Sequence, residues 1–407
     1  MAFDFSSLFK PDLPPAAVRW TGFPSYNFVG GHNDADSVPC ETLATLAGEA
    51  LRTEGHSLST YGLNSGPQGY LPLREALARQ LQQETSMRCS ADDILIVSGS
   101  LQALDLVNAA FLSPGDTVIT EDCSYGGAYT RLRRMGVEIV GAPLDEEGIR
   151  IDTLQGILEE LRGKGVRPKF IYTIPTVQNP TGAVMSEGRR RELLELAARF
   201  EVPIFEDDCY ADLVFGGGRP PAIRALDDSG RVIYCGSFSK SMAPALRVGY
   251  LVADWPVMSQ LLALKTDAGS GALEQMMLGR FLVSHFNDHV QALRGTLQHK
   301  CEVMMEAVSR EFGASAEFSQ PKGGIFLWVT LPDEVDTSRL AQVAAAEGVA
   351  INPGAEWSAD PESGRHRMRL CFAHPGEQEI RDGVARLADI CYRETGIPIR
   401  SGNVQRG

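Results

Sequence analysis

Between residues 70 and 253, short apolar segments alternate with segments whose apolar residues recur with the period of an α-helix. The strands predicted from this pattern cover residues 94–98, 117–121, 137–141, 169–174, 203–207, 232–235 and 248–253. The helices predicted from it cover residues 72–84, 100–112, 125–135, 152–162 and 187–200, followed by a long helical stretch at about 272–312. Short strands that alternate with helices form a mainly parallel sheet wrapped by helices, so the sequence predicts an α/β fold.

After residue 313 the spacing of the elements changes. Strands are predicted at 324–330, 349–352 and 367–372, with helices at 337–347 and 376–394. This pattern predicts a smaller α/β domain over 313–407, next to a large domain over 61–312. Residues 1–60 are rich in Pro and Gly and have few long apolar runs, so they predict an irregular arm that packs with the small domain.

Charge and composition exclude several classes of partner. The 407-residue chain has 38 Lys and Arg against 52 Asp and Glu, a net charge of −14, and no basic cluster, so neither nucleic acid nor an anionic membrane is expected as a partner. The sequence has no basic segment followed by an apolar run at its start, and no apolar stretch of about 18 residues, so we expect a cytoplasmic protein. Its eight cysteines form no C-x-x-C pair, and neither disulfides nor a metal site is expected.

Two short patterns lack the context that their chemistry requires. Ser237 and Lys240 match the S-x-x-K pattern of serine acyl-transferases, but no S-D-N or K-T-G follows. His285 and His289 have i, i+4 spacing, but no Glu follows His285, so a solvated helix face is the favoured interpretation. The sequence also contains neither the glycine-rich dinucleotide motif nor a P-loop.

Polar residues follow several predicted strands at the point where each strand ends. In open α/β sheets ligands bind at this edge. Ser98, Gly99 and Ser100 lie between the first strand and a helix, where free backbone N–H groups can bind a phosphate, although a simple Ser N-cap has the same pattern. Asn179 follows the strand at 169–174 in a loop rich in Pro, which could also be a plain turn.

Acidic and basic residues follow the next two strands. Asp207 and Asp208 come at the end of a buried strand, where an unpaired carboxylate is costly, so a cationic partner is needed. Lys240 follows the strand at 232–235, and Arg247 comes seven residues later. A lysine amine, a carboxylate for a ring nitrogen and several phosphate donors together are what pyridoxal 5'-phosphate requires.

Seven collinear segments carry a family resemblance. They read YGLNSGPQGYLPLREAL (61–77), VSGSLQALDL (97–106), QNPTG (178–182), FEDDCYADL (205–213), SFSKSMAPALRVGY (237–250), PKGGIFLWVTLP (321–332) and MRLCF (368–372). In these segments the chain resembles the class I/II aminotransferases among the fold-type I pyridoxal phosphate enzymes, and in particular their 2-aminoadipate aminotransferase-like branch. The resemblance implies an aspartate aminotransferase-like fold.

The resemblance also implies roles for residues around the cofactor ring. Lys240 would form the Schiff base and then carry the Cα proton of the substrate. Asp207 would pair with the pyridine nitrogen, and it is chosen over Asp208 because the family places this acid three residues before the tyrosine, here Tyr210. Tyr210 and Asn179 would bind the phenolic oxygen of the cofactor.

Other residues would bind the phosphate and complete the site. By the resemblance, the phosphate ligands are Ser100, Leu101, Gln102, Ser237 and Arg247. Tyr125 would stack on the ring, although a core tyrosine is nearly as good an interpretation. Arg369 would bind the substrate carboxylate with two hydrogen bonds, which suits a planar guanidinium. Tyr70 would reach the phosphate of a neighbouring subunit, which implies a homodimer with composite sites.

The sequence departs from the family pattern at two places. Leu101 stands where relatives often have a polar residue, which weakens one phosphate contact. In the arm, Gly31 is followed by His32, Asn33 and Asp34, where relatives have a less polar stretch that covers the substrate. We therefore expect Gly31, His32 and Asn179 to contact the substrate and the polar cluster to lie over its side chain. The alternative is an Asx turn within the arm.

Three functions are compatible with these motifs. The first is transfer of an amino group between an amino acid and a 2-oxo acid. The second uses the same cofactor for elimination, replacement, decarboxylation or carbon–carbon bond formation on an amino acid. The third is a non-catalytic effector domain of a DNA-binding regulator, which is disfavoured because residues 1–60 hold only three basic residues.

Overall fold

The structure is a computed structural model that describes residues 3, 5–10, 13–14, 16–216 and 218–399. Its strands are β1 (Tyr26–Asn27), β2 (Ile94–Val97), β3 (Thr117–Glu121), β4 (Glu138–Ala142), β5 (Leu144–Asp145), β6 (Gly148–Ile149), β7 (Ile171–Thr173), β8 (Ile204–Asp207), β9 (Val232–Ser237), β10 (Gly249–Val252), β11 (Phe326–Thr330), β12 (Val349–Ala350), β13 (Asn352–Pro353) and β14 (Arg367–Cys371). Its α-helices are α1 (Cys40–Glu54), α2 (Leu71–Thr85), α3 (Ser100–Phe111), α4 (Gly126–Met135), α5 (Ile151–Gly163), α6 (Glu187–Arg199), α7 (Ile223–Leu226), α8 (Trp255–Leu264), α9 (Ala272–Ser284), α10 (Phe286–Phe312), α11 (Thr337–Ala346) and α12 (Glu377–Thr395).

A seven-stranded sheet forms the centre of the molecule. Its strand order is β2-β10-β9-β8-β7-β3-β4. The strands from β9 to β4 run parallel to one another, and β10 is antiparallel to both of its neighbours. Every residue of β3, β7, β8 and β9 is buried, because helices cover both faces of the sheet. The predicted α/β fold with a mainly parallel sheet is confirmed.

The C-terminal part of the chain contains a second, antiparallel sheet. Its strand order is β11-β14-β13, and Trp328 of β11 pairs with Arg369 of β14. Helix α12 packs against α10, and α11 packs against α12. The helix α10 ends at Phe312, next to the predicted boundary at 313. The limits of the two domains stay predictions.

The arm is more regular than the sequence predicts. The expectation of an irregular segment is wrong for residues 40–54, which form α1 and pack on α9. Leu46 and Ala50, one turn apart, are the buried residues of this helix. The preceding strand β1 pairs with β12, on the C-terminal side of the molecule, so the first 60 residues contact both parts of the chain.

Two other predicted elements are divided in the structure. The helical stretch at 272–312 breaks at His285, whose φ of −131° is not helical, although no Gly or Pro marks a break there. His289, one turn further on, has its Nε2 2.8 Å from the carbonyl oxygen of Ser241, so it does not lie on a solvated face. The predicted strand 349–352 consists of β12 and β13, which belong to different sheets. Among the described residues, no helix has both the length and the apolar character needed to cross a membrane.

A buried ion pair fixes the arm to α10. Lys300 Nζ lies 2.5 Å from Asp34 Oδ1 and also donates to the carbonyl oxygen of Ala373 at 2.8 Å. Ser37 Oγ donates to the second carboxylate oxygen of Asp34 at 2.7 Å. Burial acts to raise the pKa of Asp34, but the hydrogen bonds from Lys300 and Ser37 lower it below its ordinary value.

We expect Asp34→Ala to lower the free energy of unfolding by about 3 kcal/mol, because the change leaves the ammonium of Lys300 buried without its acid. Urea denaturation of the two proteins measures the difference. Arg339→Ala is the control, because the Arg339–Glu394 pair is exposed and should contribute about 0.5 kcal/mol. Equal losses in the two variants would show that the Asp34–Lys300 pair does not fix the arm.

Candidate active site

A cavity of about 270 Å³ lies at the carboxyl ends of the parallel strands, where the sequence predicts a site. Most of the predicted site residues line it, from both the sheet and the C-terminal part of the chain. These are Gly31, Ser100, Leu101, Tyr125, Asn179, Asp207, Tyr210, Ser237, Lys240, Arg247 and Arg369. Three predicted residues, Tyr70, Gln102 and His32, are not among its lining residues.

Lys240 follows β9 and faces this cavity. Its Nζ donates to the carbonyl oxygen of Gly31 at 2.7 Å, and no described acidic residue forms an ion pair with it. Burial lowers the pKa of Lys240 to about 8, and the charge of Arg369 acts in the same direction. A Cβ at position 31 would lie 2.3 Å from Nζ, so a larger residue there would displace the amine of Lys240.

The two consecutive acids at the end of β8 have different surroundings. Asp207 lines the cavity, and its Oδ2 accepts a hydrogen bond from the hydroxyl of Tyr172 at 2.8 Å. Burial raises the pKa of Asp207. Asp208 is turned away from the cavity and pairs with Arg219 at 2.6 Å. The geometry therefore favours Asp207 over Asp208 as the acid available to a ligand.

Asn179 connects two side chains of the site. Its Nδ2 donates to the hydroxyl of Tyr210 at 3.3 Å, and its Oδ1 accepts from Arg369 Nη1 at 3.1 Å. The buried acid Glu121 fixes the loop that carries Asn179. The oxygens of Glu121 accept hydrogen bonds from the backbone of Ile174 at 2.9 Å and from Gln178 Nε2 at 2.8 Å. Glu121 was not predicted as a site residue, although it ends a predicted strand as Asp207 does.

Arg369 has polar partners but no acid. Its Nη2 donates to the carbonyl oxygen of Gly30 at 2.7 Å and to Asn352 Oδ1 at 2.8 Å. The guanidinium carbon lies 3.8 Å from the ring centroid of Trp357. Its Nε is buried with no partner, and no described residue forms an ion pair with Arg369. A carboxylate ligand would supply both missing interactions. No sequence motif pointed to Asn352 or Trp357.

A phosphate would fit at the other end of the cavity. Ser100 and Leu101 form the first turn of α3, where backbone N–H groups have no acceptor within the helix. The preceding Gly99 has a φ of +76°, and a Cβ there would lie 2.2 Å from Arg247 Nη2, so glycine keeps space beside the guanidinium. Ser237 also lines this part of the site. These donors and Arg247 fit the phosphate of pyridoxal 5'-phosphate.

Gln102 makes its hydrogen bonds to neighbouring protein groups and does not line the cavity. Its Oε1 accepts from the backbone of Ser98 at 2.8 Å, and its Nε2 donates to Asp267. Its backbone N–H donates to the carbonyl oxygen of Gly99 at 3.1 Å. These hydrogen bonds close the turn before α3, and the phosphate contact of Gln102 stays a prediction.

None of the three residues of the polar cluster in the arm lines the cavity. The ring of His32 packs beside those of Phe23 and His374, with centroid distances of 5.2 and 5.6 Å. Asn33 Nδ2 donates to the carbonyl oxygen of Met242 at 2.9 Å, and Asp34 pairs with Lys300. Asn33 and Asp34 therefore fix the arm, and the expectation that the cluster lies over the substrate stays a prediction. Burial lowers the pKa of His32.

Tyr70 lies in a separate cavity of about 660 Å³, formed mainly by residues 58–70 and 265–275. Its hydroxyl donates to Glu54 Oε2 at 2.6 Å. Within one chain, Tyr70 is therefore not part of the cavity that contains Lys240.

Comparison with known proteins identifies the class to which this fold and site belong. The family model "Aminotransferase class I and II" matches residues 30–387. The chain is 34% identical to aromatic-amino-acid aminotransferase 1 of Thermococcus litoralis over 371 residues, which cover 90% of this chain and 88% of the relative.

Two solved structures have the same fold. The multiple substrate aminotransferase of Thermococcus profundus superposes with a TM-score of 0.89 at 33% identity, covering 97% of this chain and all of that one. The α-aminoadipate aminotransferase of Thermus thermophilus, complexed with N-(5'-phosphopyridoxyl)-L-leucine, superposes with a TM-score of 0.83 at 33% identity, covering 90% and 92% of the two chains.

The chain belongs to the class I and II aminotransferase family. It is a pyridoxal phosphate-dependent enzyme that moves an amino group between an amino acid and a 2-oxo acid. The predicted fold type, cofactor and reaction are confirmed, and transamination is favoured over the other reactions of this cofactor and over a non-catalytic domain.

The lowered pKa of Lys240 predicts how the cofactor-free chain reacts with pyridoxal phosphate. Only the neutral amine attacks an aldehyde, so the rate should rise with pH and level off above pH of about 8. Stopped-flow absorbance measures this rate. In Lys240→Arg, the absorbance change that reports the reaction with pyridoxal phosphate should be absent. A midpoint near the ordinary lysine value of 10.5 would contradict the assigned surroundings of the amine.

Proposed function

We propose that Lys240 binds the cofactor aldehyde and that Asp207 pairs with the ring nitrogen. The position of both residues on one cavity supports these roles. Tyr210 and Asn179, joined by a hydrogen bond, would bind the phenolic oxygen of the ring, and Tyr125 would lie on the ring face.

The phosphate is assigned to the end of the cavity at α3. Its ligands would be the backbone donors of Ser100 and Leu101, the hydroxyl of Ser237 and the guanidinium of Arg247. A helix N-terminus and a cation together favour a dianion. When bound, pyridoxal phosphate supplies an electron sink for the bonds at the substrate Cα. The amine of Lys240, once released from the cofactor, would take the Cα proton and return it at the next step.

Arg369 is the proposed binding site of the substrate α-carboxylate. The observation that carries this assignment is a buried guanidinium with an unpartnered Nε and no ion pair among the described residues, on the same cavity as Lys240. Asn179 and the backbone at Gly31 lie beside it and would contact the substrate. The amino acid and the 2-oxo acid share this carboxylate, so one arginine serves both half-reactions. His32 is not included, because its ring lies outside the cavity lining.

We expect Arg369→Lys to lower kcat/KM for the amino acid by at least roughly 30-fold, equivalent to about 2 kcal/mol. An ammonium cannot form the paired hydrogen bonds of a guanidinium. Steady-state kinetics with a good amino acid substrate measure this loss. The control is Arg365→Lys, because Arg365 is exposed and donates only to the carbonyl of Asp333. An unchanged kcat/KM in Arg369→Lys would contradict the assignment.

The enzyme is further proposed to act as a homodimer in which Tyr70 reaches the phosphate of the neighbouring subunit. Two observations support this proposal. Tyr70 lines a second cavity, separate from the one that contains Lys240. The N-terminal segment also exposes apolar side chains, which a second copy of the chain would cover: Phe3, Phe5, Leu8, Phe9, Leu13, Val18, Trp20 and Phe23. A cytoplasmic location is part of the proposal, because all eight cysteines are free thiols, the state that a reducing compartment maintains.

Composite sites predict complementation between two inactive variants. Tyr70→Ala and Lys240→Ala homodimers should both be inactive, but mixed dimers have one site with both residues intact. Unfolding and refolding an equal mixture should then recover about a quarter of the wild-type activity, because half of the dimers are mixed. If Tyr70 acts within its own chain, the mixture will show no recovery above the two separate variants.

A further inference from the structure

Each of the two consecutive acids at the end of β8 is bonded to its own buried tyrosine. Tyr172 of β7 donates to Asp207 Oδ2 at 2.8 Å, and Tyr234 of β9 donates to Asp208 Oδ2 at 3.2 Å. Both tyrosines are 1% exposed. Asp208 also has the cation Arg219 as a partner, whereas no described residue forms an ion pair with Asp207. The hydroxyl of Tyr172, at 2.8 Å, lies closer to the carboxylate of Asp207 than the backbone N–H of Cys209 does, at 3.4 Å.

Cys209 is the other hydrogen-bonding partner of Asp207. Its backbone N–H donates to Oδ1 at a long 3.4 Å. The thiols of Cys209 and Cys235 lie within 4.8 Å of the carboxylate and bring no positive charge. Burial raises the pKa of Asp207, and the hydrogen bonds from Cys209 and Tyr172 oppose that increase. Burial also raises the pKa of Tyr172, so the phenol stays neutral and acts as a donor.

We infer that Tyr172 is a positioning residue for Asp207. It holds Oδ2, so that Oδ1 is left for the ring nitrogen of the cofactor, and it makes the carboxylate a weaker base. The inference rests on the proposed function, in which Asp207 meets that nitrogen. A proton shared between a carboxylate and a pyridine nitrogen stays on the nitrogen when the carboxylate is the weaker base. Tyr172 thus acts on the cofactor only through Asp207.

The test compares two ligands of the cofactor-free full chain. One is pyridoxal phosphate, and the other is its 1-deaza analogue, which has a CH group in place of the ring nitrogen. The ratio of their dissociation constants measures the interaction at that nitrogen. Tyr172→Phe should reduce the preference for pyridoxal phosphate roughly tenfold, the effect of one hydrogen bond to a charged group. Its affinity for the deaza analogue should stay close to that of the wild type.

Two further variants serve as controls for this comparison. Tyr234→Phe removes the same hydroxyl from Asp208 and should leave the preference unchanged. Asp207→Asn should abolish the preference. If Asp207→Asn keeps it, the proposed role of Asp207 fails. If Asp207→Asn loses it and Tyr172→Phe keeps it, the role of Tyr172 alone fails. Equal loss of affinity for both ligands in Tyr172→Phe would also overturn the inference, because it would indicate a structural role.

A second substitution answers the question if Tyr172→Phe does not fold. Incorporation of 3-fluorotyrosine at position 172 removes no atom from the hydrogen bond and makes the phenol a stronger donor. The preference for pyridoxal phosphate over the deaza analogue should then increase. An unchanged preference in this folded protein would overturn the inference.

Discussion

The buried guanidinium of Arg369 joins the three parts of the chain. It lies on β14 of the C-terminal sheet, donates to Asn179 after β7 of the central sheet, and donates to the carbonyl oxygen of Gly30 in the arm. Trp357 covers its face. A buried cation without an acid is costly unless a ligand completes it. The construction of the site therefore depends on an anion that the protein itself does not supply.

The charges around the cavity suit the ligands of an aminotransferase. The whole chain has a net charge of −14, yet Lys240, Arg247 and Arg369 line the cavity against the single acid Asp207. A local positive potential in a negative protein attracts small anions such as a phosphate ester and a carboxylate. Burial lowers the pKa of Lys240 to about 8, which makes the amine more available as a nucleophile and base.

The sequence predicts those parts of the site that depend on local order. Asp207 and Lys240 each come at or just after the carboxyl end of a strand. Parallel strands bring their carboxyl ends to one edge of the sheet, so the alternation of predicted strands and helices is enough to indicate that the two residues lie close together. Gln102 could not be assigned in this way, because its side chain is held by Asp267, a residue far along the chain. For the same reason the role of Asp34 depends on Lys300, which no local pattern indicates. Helix α1 was missed although Leu46 and Ala50 have helical spacing.

The proposed function depends above all on the attachment of the cofactor to Lys240. The direct measurement is borohydride reduction of the enzyme loaded with pyridoxal phosphate, followed by peptide mapping by mass spectrometry. The label is expected on Lys240, whose amine faces the cavity without an acidic partner. Lys265 and Lys300 are already paired with Asp267 and Asp34. A label on either of these two lysines, with Lys240 unmodified, would contradict the account.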